Sequence, residues 1–339
     1  MIRTSSAASD GWLEAALQQV RADLEQRLAA LASLTLMAPT GGASGKLLRP
    51  RLLLTLAAPE DLRLPVSEQI VSLAAAVELI HLATLHHDDV LDDSPHRRRA
   101  QSARQLFGNK VSILFGDAML AAALDALLRC SDGRMQAAVA RAVTATLRGE
   151  IAQHTGHRTL ELAEVECVRV ASLKTGSLFG LAAQLGSLAT GRGRETALVA
   201  YRVGRRLGTA FQLIDDALDF AATAELLGKE PGSDYRQGIA TLPLACAWRA
   251  SGEAERRVLV TGFGADGNGD FATVREIVLR PDHFEPTLAA VERQLVRARA
   301  QVPALALPDC GGLIAAYFQE IEERIPHPVH AHPVSAPDS

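Results

Sequence analysis

Two short aspartate clusters share the pattern DDxxD in distant parts of the chain: DDVLD at 88–92 and DDALD at 215–219. In a helix, residues four positions apart lie about 40° apart around the axis, so the first and last aspartates of each cluster point the same way. Carboxylate oxygens suit hard cations, and Mg2+ commonly takes one or two of them together with water and phosphate oxygens. Two such clusters that face each other could clamp a diphosphate through shared Mg2+ ions.

A plainer interpretation is that adjacent acids merely decorate solvated helix faces. The surroundings of both clusters argue against it, because residues 80–91 and 210–220 are mostly apolar. Burying a carboxylate without a partner is costly, so recurrence of the pattern in an apolar setting favours two ligand sites.

Basic residues occur at three places that could complete a diphosphate site: Lys46 with Arg49, the arginine run 97–99, and Lys174 with Lys229. Lys and Arg bind phosphate when they are held near metal ions. An arginine run is commonly a solvated face. This one follows the first DDxxD by about one and a half helical turns, so it can flank whatever the metals hold.

Two further polar residues share helix faces with the aspartates. His81 precedes Asp88 by seven residues, close to two turns, and could hydrogen-bond a second phosphate group. Gln212 precedes Asp215 by three residues and lies on the face of the second cluster. Taken alone, a histidine here is more typical of a packed side chain than of a ligand.

The elements that must position these residues are predicted to be helices. The 339 residues are 48% hydrophobic but only 4% aromatic, and Ala and Leu dominate, which favours an all-α fold packed through aliphatic side chains. We predict one domain over residues 1–325 and a disordered tail over the Pro- and His-rich residues 326–339. Helical spacing predicts helices near 12–34, 50–57, 66–93, 100–129, 134–155, 162–190, 194–223 and 239–250, with a smaller set after 270.

Bulk properties exclude several classes of function. The net charge of -4 gives no electrostatic argument for nucleic acid, and the four cysteines lack the spacing of a zinc site or a disulfide framework. Residues 1–17 lack the apolar run of a signal peptide, and the uncharged stretch 175–191 contains Gln, Ser and Gly, typical of a buried helix. We therefore expect no transmembrane segment and a cytoplasmic location.

With these residues assembled, the chain resembles the trans-isoprenyl diphosphate synthases, the head-to-tail polyprenyl synthetase family, up to about residue 325. The resemblance implies a single large helical bundle of the isoprenoid synthase type, with a central cavity, and a homodimer. The matching segments, in the family's order, are GKLLRP (45–50), ELIHLATLHHDDVLDDSPHRRR (78–99), FGNKVSILFGD (107–117), KTG (174–176), FQLIDDALDF (211–220) and GKEPGSDYRQGIATLPL (228–244).

The implied activity is a prenyl transfer. The enzyme would join an allylic diphosphate (dimethylallyl, geranyl, farnesyl or geranylgeranyl) to isopentenyl diphosphate, releasing pyrophosphate and adding five carbons in each cycle. By the same resemblance, Mg2+ would bridge Asp88 and Asp92 on one side and Asp215 on the other, where it neutralises the leaving group. The implied supporting residues are Asp89, Asp216 and Asp219 for the metals, and Arg97, Lys174 and Lys229 for the diphosphate.

The family pattern assigns isopentenyl diphosphate to a second set of residues, namely Lys46, Arg49, His81 and Arg98. Thr175, Gln212 and the Lys174 region would face the developing carbocation. Holding the double bond against the allylic carbon replaces a conventional nucleophile, and released pyrophosphate would accept the proton. No protein base is then required.

Some positions depart from the family pattern, above all Ile239, where a Lys commonly closes the loop after the second motif. Losing one charge-assisted phosphate contact costs about 1.5 to 3 kcal/mol, which Lys229 and Arg236 could offset. Arg99, Arg104 and Ala118 are further departures.

Product length depends on the residues beneath the first DDxxD. Ala83 and Thr84 are small and should not block a growing chain, so we predict a product of C20 or longer, with C30–C50 favoured. Deeper side chains such as Phe115 or Met119 could shorten it. The alternatives are a short-chain (C15/C20) synthase, a class I terpene cyclase and a noncatalytic subunit of a heteromeric synthase. A long product would also be consistent with peripheral membrane contact.

Overall fold

The computed structural model describes residues 7–35, 45–92, 96–97, 100–129, 132–156, 159–224, 230–264, 270–307 and 312–326. The predicted all-α class is confirmed, because the only strands in these ranges are an antiparallel pair of two residues each, β1 (His96–Arg97) and β2 (Ala100–Gln101). The helices of the first half are α1 (Ala7–Thr35), α2 (Leu48–Ala57), α3 (Glu68–Leu91), α4 (Ala103–Phe107), α5 (Asn109–Leu128) and α6 (Gly133–Gly156).

The second half continues the bundle. Its elements are α7 (Glu164–Ala171), a π-helical turn (Ser172–Gly176), α8 (Ser177–Ala189), α9 (Arg194–Ala221), α10 (Ser233–Arg236), α11 (Leu242–Ala250), α12 (Glu253–Thr261), α13 (Phe271–Val278), α14 (Pro281–Arg299), a 3-10 turn (Val302–Leu305) and α15 (Leu313–Glu322). The proposed tail lies outside the described residues from 327 onward, so its disorder and the domain boundary at 325 stay predictions.

Helix α8 is at the centre of the bundle. It packs along α9 on one side and along α2 on the other, while α3 packs along α5. Two glycines allow this close approach: a Cβ at Gly204 would lie 2.4 Å from the carbonyl oxygen of Phe179, and one at Gly186 would lie 2.3 Å from that of Leu53. Every residue of 177–188 is buried, which confirms that the uncharged stretch is an interior helix.

The helix that carries the first DDxxD has a defined start and end. The Ser67 hydroxyl accepts a hydrogen bond from the backbone N–H of Ile70, and Glu68 follows in the first turn, where a negative charge suits the helix dipole. The last turn closes with the backbone N–H of Asp92 donating to the carbonyl of Asp88. The first aspartate cluster therefore forms the C-terminal end of α3.

Two predicted helices are interrupted in the structure. The predicted helix over 100–129 is wrong as a single element: Gly108, at φ 82°, separates α4 from α5, a conformation that glycine adopts without strain. The predicted helix over 162–190 is interrupted by the π-helical turn, a feature that often occurs at functional sites. Hydrophobic spacing did not reveal either break, because it reports the period of an element and not the backbone angles of single residues.

Helices α3 and α5 are long and apolar enough to cross a membrane by length and composition alone. The apolar window of α3 is 61% buried and that of α5 is 39% buried within the fold. Core helices commonly meet the same criteria, and α3 carries the acidic cluster, so this observation is weak evidence for a membrane span.

Candidate active site

One large cavity, about 1480 Å³ in volume, collects most of the residues that the sequence predicts for the site. Its walls come from the start of α2, the ends of α3 and α6, the π-helical turn, α9 and residues 230–241. The predicted site residues that line it are Lys46, Arg49, His81, Asp88, Asp89, Asp92, Lys174, Thr175, Gln212, Asp215 and Asp219. Arg98 and Lys229 lie outside the described residues, and for Arg97 only the backbone strand is described.

The second DDxxD is tied to the protein by neutral hydrogen bonds. Asp216 is 8% exposed and accepts a hydrogen bond of 2.8 Å from the Gln212 amide, whose oxygen accepts one of 2.5 Å from the Thr175 hydroxyl. Burial, with the nearby carboxylates of Asp215 and Asp219, raises the pKa of Asp216 to about 7, although the Gln212 hydrogen bond opposes the shift. Asp215 is exposed at the cavity.

Asp219 holds the loop that follows the second motif. Its carboxylate accepts hydrogen bonds of 3.0 Å from the Ser233 hydroxyl and 3.1 Å from the backbone N–H of Asp234, at the start of α10. The side chain is 2% exposed. Because both oxygens already accept hydrogen bonds, these contacts favour a supporting role, and direct metal binding by Asp219 stays a prediction.

Lys174 lies in the π-helical turn and pairs with Glu150 of α6, at 2.8 Å between Nζ and Oε1. Burial disfavours the ammonium, but Asp88, Glu150 and Asp92 outweigh it and raise the pKa of Lys174 above its ordinary value. Burial, with the charge of Asp92, raises the pKa of Glu150 despite the Lys174 charge. One ammonium is thus shared among three carboxylates.

Glu150 is a cavity residue that the motif search missed. A signal was available, because Glu150 continues the buried phase of α6 that runs through Ala142, Thr146 and Gly149. An acid on the apolar face of an amphipathic helix requires a partner for its charge. The sequence alone did not show that Lys174 is that partner.

Arg49 is the most enclosed predicted substrate cation among those whose side chains are described, at 9% exposure. Its guanidinium carbon lies 4.8 Å from the centre of the Phe179 ring. Burial lowers its pKa from the ordinary value, which the nearby Glu78 carboxylate opposes. The Tyr317 hydroxyl donates to the carbonyl of Leu48 at 2.9 Å and so connects α15 to this wall. Lys46, in contrast, is exposed at the rim.

Arg324 was also missed, although it lines the cavity from the end of α15. Its guanidinium carbon is 5.2 Å from the Phe211 ring centre, and its Nη2 atom is 3.6 Å from Glu320. Ile239 and Arg236 also line the cavity, and Arg236 donates a hydrogen bond of 2.6 Å to the carbonyl of Pro231. The idea that Arg236 replaces the missing Lys stays a prediction.

The acidic residues suit a metal that is shared with a ligand. No three His, Cys, Asp or Glu side chains within the described ranges are grouped so that they could hold a metal ion by themselves. Mg2+ in phosphate sites is commonly held by one or two carboxylates together with phosphate oxygens and water. The Asp88–Asp92 pair and Asp215 match that donor set, because all three line one cavity.

Comparison with known proteins agrees with this geometry. Residues 34–278 match the family model described as polyprenyl synthetase, a family that uses a divalent metal with allylic and isopentenyl diphosphates. The chain is 35% identical over 274 residues to the nonaprenyl diphosphate synthase of Mycobacterium tuberculosis, covering 80% of this chain and 79% of that protein. It is 31% identical over 281 residues to the (2E,6E)-farnesyl diphosphate synthase of Mycobacterium bovis, covering 80% and 77%.

A solved structure is similar over nearly the whole chain. The polyprenyl synthase of Caulobacter crescentus, complexed with calcium and isoprenyl diphosphate, has a TM-score of 0.83 and 28% identity, covering 96% of this chain and 99% of that one. Some other curated relatives are matched over only 50% to 61% of their own length. The family match and these similarities show that the chain belongs to the polyprenyl synthetase family.

Proposed function

We propose that this protein is a Mg2+-dependent trans-polyprenyl diphosphate synthase that condenses an allylic diphosphate with isopentenyl diphosphate, head to tail. The observation that carries the proposal is that both DDxxD clusters and two separate sets of cations line a single cavity. A class I terpene cyclase would have no use for the second set, Lys46 and Arg49. A noncatalytic subunit would not need both acidic clusters complete.

The residues of the cavity support a division of labour. Asp88, Asp92 and Asp215 would hold Mg2+, which when bound neutralises the charge that develops on the leaving diphosphate. Lys174 would bind that diphosphate, while Lys46, Arg49 and His81 bind the diphosphate of the second substrate. The Thr175–Gln212 pair, joined by a hydrogen bond at the cavity, would present oxygen dipoles to the allylic carbon, where positive charge develops. Orientation of the two substrates supplies the remaining rate enhancement.

Incubation of the purified protein with farnesyl diphosphate, isopentenyl diphosphate and Mg2+ tests the proposal. We expect one pyrophosphate released for each isopentenyl unit incorporated, and no incorporation when Mg2+ is chelated. Elimination or cyclisation of farnesyl diphosphate without incorporation would support the cyclase. Turnover that requires a second protein would support the noncatalytic subunit.

We propose a product of C20 or longer, with C30–C50 favoured. Thr84 lines the cavity and is small, while Phe115 and Met119, each 2% exposed, lie deeper in the core that α3 and α5 share. The relatives include both nonaprenyl and farnesyl synthases, so similarity alone does not fix the length. Sizing of the product decides it, and Thr84→Phe should shorten it. A C15-only product from shorter primers would contradict the proposal.

We propose that the protein is a homodimer, joined through a stripe of exposed apolar side chains on α5 and α6. Large apolar side chains left exposed on two packed helices favour an interaction site, and a two-fold dimer buries the same surface on both subunits. The stripe comprises Ile113, Leu114, Leu124, Leu128, Leu147 and Ile151, at 42% to 66% exposure. Light scattering should give twice the chain mass, and Leu114→Glu with Leu147→Glu should give the monomer.

The same stripe could instead serve the peripheral membrane contact expected for an enzyme with a membrane-soluble product. Flotation with phospholipid vesicles separates the two roles. A protein that is monomeric in solution but binds vesicles through this stripe would overturn the dimer proposal.

A further inference from the structure

Glu150 is a buried acid inside the cavity wall whose only described polar partner is Lys174. The residue is 8% exposed, and its Oε1 atom lies 2.8 Å from the Lys174 ammonium. Within the described residues, its Oε2 atom has no hydrogen-bond partner. A buried carboxylate with a single charged hydrogen-bond contact points to a role in holding that partner.

The backbone around the pair is built for this contact. A Cβ atom at Gly149 would lie 2.5 Å from the backbone nitrogen of Lys174, so only glycine lets α6 approach the π-helical turn so closely. The adjacent Glu150 side chain then reaches Lys174 across the contact. Both ends of the ion pair are therefore fixed by helix packing, with side chains 11% and 21% exposed.

Lys174 has two other anionic neighbours, Asp88 and Asp92, which also stabilise its charge. Both belong to the first acidic cluster, where the metal ions would bind. Without Glu150, the ammonium would be attracted toward these carboxylates. It would then compete with the metals and leave the position from which it meets the diphosphate.

We propose that Glu150 is a positioning residue that holds the Lys174 ammonium ready for the leaving diphosphate and away from the Asp88–Asp92 pair. This inference rests on the proposed function for the identity of the diphosphate. The inference also predicts the direction of the effect on affinity. Although Glu150 is an acid near an anion-binding site, it should strengthen anion binding, because it orients the cation that binds the anion.

Calorimetric titration of the folded protein with inorganic pyrophosphate at saturating Mg2+ tests the inference without turnover. If Glu150 acted only through its charge, Glu150→Gln would tighten pyrophosphate binding by removing repulsion. We expect the opposite, a loss of about tenfold, the typical scale of one charge-assisted contact. Glu253→Gln, which removes one side of an exposed ion pair with Arg257, is the matched control and should bind like the wild type.

A double variant separates positioning from general damage. Lys174→Ala should weaken pyrophosphate binding, and adding Glu150→Gln to it should cause no further loss, because the two residues act as one unit. In turnover, Glu150→Gln should lower kcat strongly while the KM for isopentenyl diphosphate changes less than about threefold. Thermal unfolding of each variant checks that the fold is retained.

Unchanged or tighter pyrophosphate binding by Glu150→Gln, or an additive loss in the double variant, would overturn the inference. A wild-type protein that binds magnesium pyrophosphate but forms no prenyl product would overturn the proposed function alone. A wild-type protein that fails to bind magnesium pyrophosphate would overturn both.

Discussion

The two DDxxD clusters have the same sequence pattern but different surroundings. The first cluster ends α3, and its Asp88 and Asp92 share the ammonium of Lys174. The second lies within α9, and its last two aspartates are hydrogen-bonded to neutral groups of the protein. The negative charge of the first cluster is thus balanced by the Lys174 ammonium, whereas two aspartates of the second cluster are held by neutral hydrogen-bond donors of the protein.

This difference shows that a repeated motif need not carry a repeated role. All three aspartates of the second cluster line the cavity, but Asp216 and Asp219 are buried and hydrogen-bonded to the protein, whereas Asp215 is exposed. All three aspartates of the first cluster line the cavity as well, but Asp89 is buried and the two outer aspartates are partly exposed. We infer that the first cluster contributes two metal-binding carboxylates and the second contributes one.

Removal of a metal-binding carboxylate should have the largest effect. Asp88→Ala and Asp215→Ala should each lower Mg2+-dependent condensation by about a hundredfold or more, the scale seen when one transition-state stabilising group is removed. Incorporation of labelled isopentenyl diphosphate measures this. Asp125→Ala, which removes one side of an exposed ion pair with Arg129, is the control and should retain full activity. Near-normal turnover in either site variant would contradict the metal assignment.

Replacing Asp219 and replacing Asp215 should change the free energy of unfolding by different amounts. Asp219→Ala removes the acceptor for Ser233 and for the backbone N–H of Asp234, so we expect a loss of about 2 to 3 kcal/mol in the free energy of unfolding. Asp215→Ala should cost less stability, because Asp215 is exposed and its removal also relieves repulsion near Asp216. Urea unfolding without Mg2+ compares the two. Equal losses would show that the second cluster is not divided in this way.

A hydrogen-bond chain runs from Thr175 through Gln212 to the buried Asp216 of the second cluster. Gln212→Ala would leave the buried Asp216 carboxyl without that donor, so we expect a loss of about 1 to 2 kcal/mol in the free energy of unfolding. Thermal unfolding measures it. If Gln212→Ala has wild-type stability, the chain does not support the second cluster.

The smallest expected effect concerns Ile239, which lines the cavity and which the sequence comparison with the family pattern singled out as a departure. Ile239→Lys should tighten magnesium pyrophosphate binding by about threefold, in line with the modest energy of a partly exposed ion pair. Titration calorimetry measures the gain, and Ile239→Met serves as the uncharged control. Weaker binding in the Lys variant would mean that an apolar side chain at this part of the cavity wall favours magnesium pyrophosphate binding.

The fold class and most of the site could be predicted from sequence, because helical spacing and the DDxxD pattern are both local. Asp88 and Asp215 lie in motifs that are recognised by their spacing in the sequence, and both line the cavity as predicted. Glu150 and Arg324 could not be placed in this way. Glu150 contacts Lys174 and Arg324 contacts Phe211, and both partners are distant in sequence, so only the packing of the helices reveals that the two residues lie at the cavity.

The two helix breaks could not be predicted from the hydrophobic pattern either. Gly108 separates α4 from α5 by a backbone angle that the hydrophobic pattern does not record. The π-helical turn that contains Lys174 widens one turn of a helix, and the residue types of that segment do not indicate it. Conformation at single residues therefore limited the prediction more than element type did.

The most direct test of the central claim is incorporation of labelled isopentenyl diphosphate onto farnesyl diphosphate by the wild type, Asp88→Ala and Asp215→Ala, each with Mg2+ and with chelator. We expect the wild type with Mg2+ to form elongated product with equimolar pyrophosphate, and the other samples to form little or none. Elongation that is equal with and without a divalent metal, or equal in all three proteins, would contradict the account of two acidic clusters that form one diphosphate site.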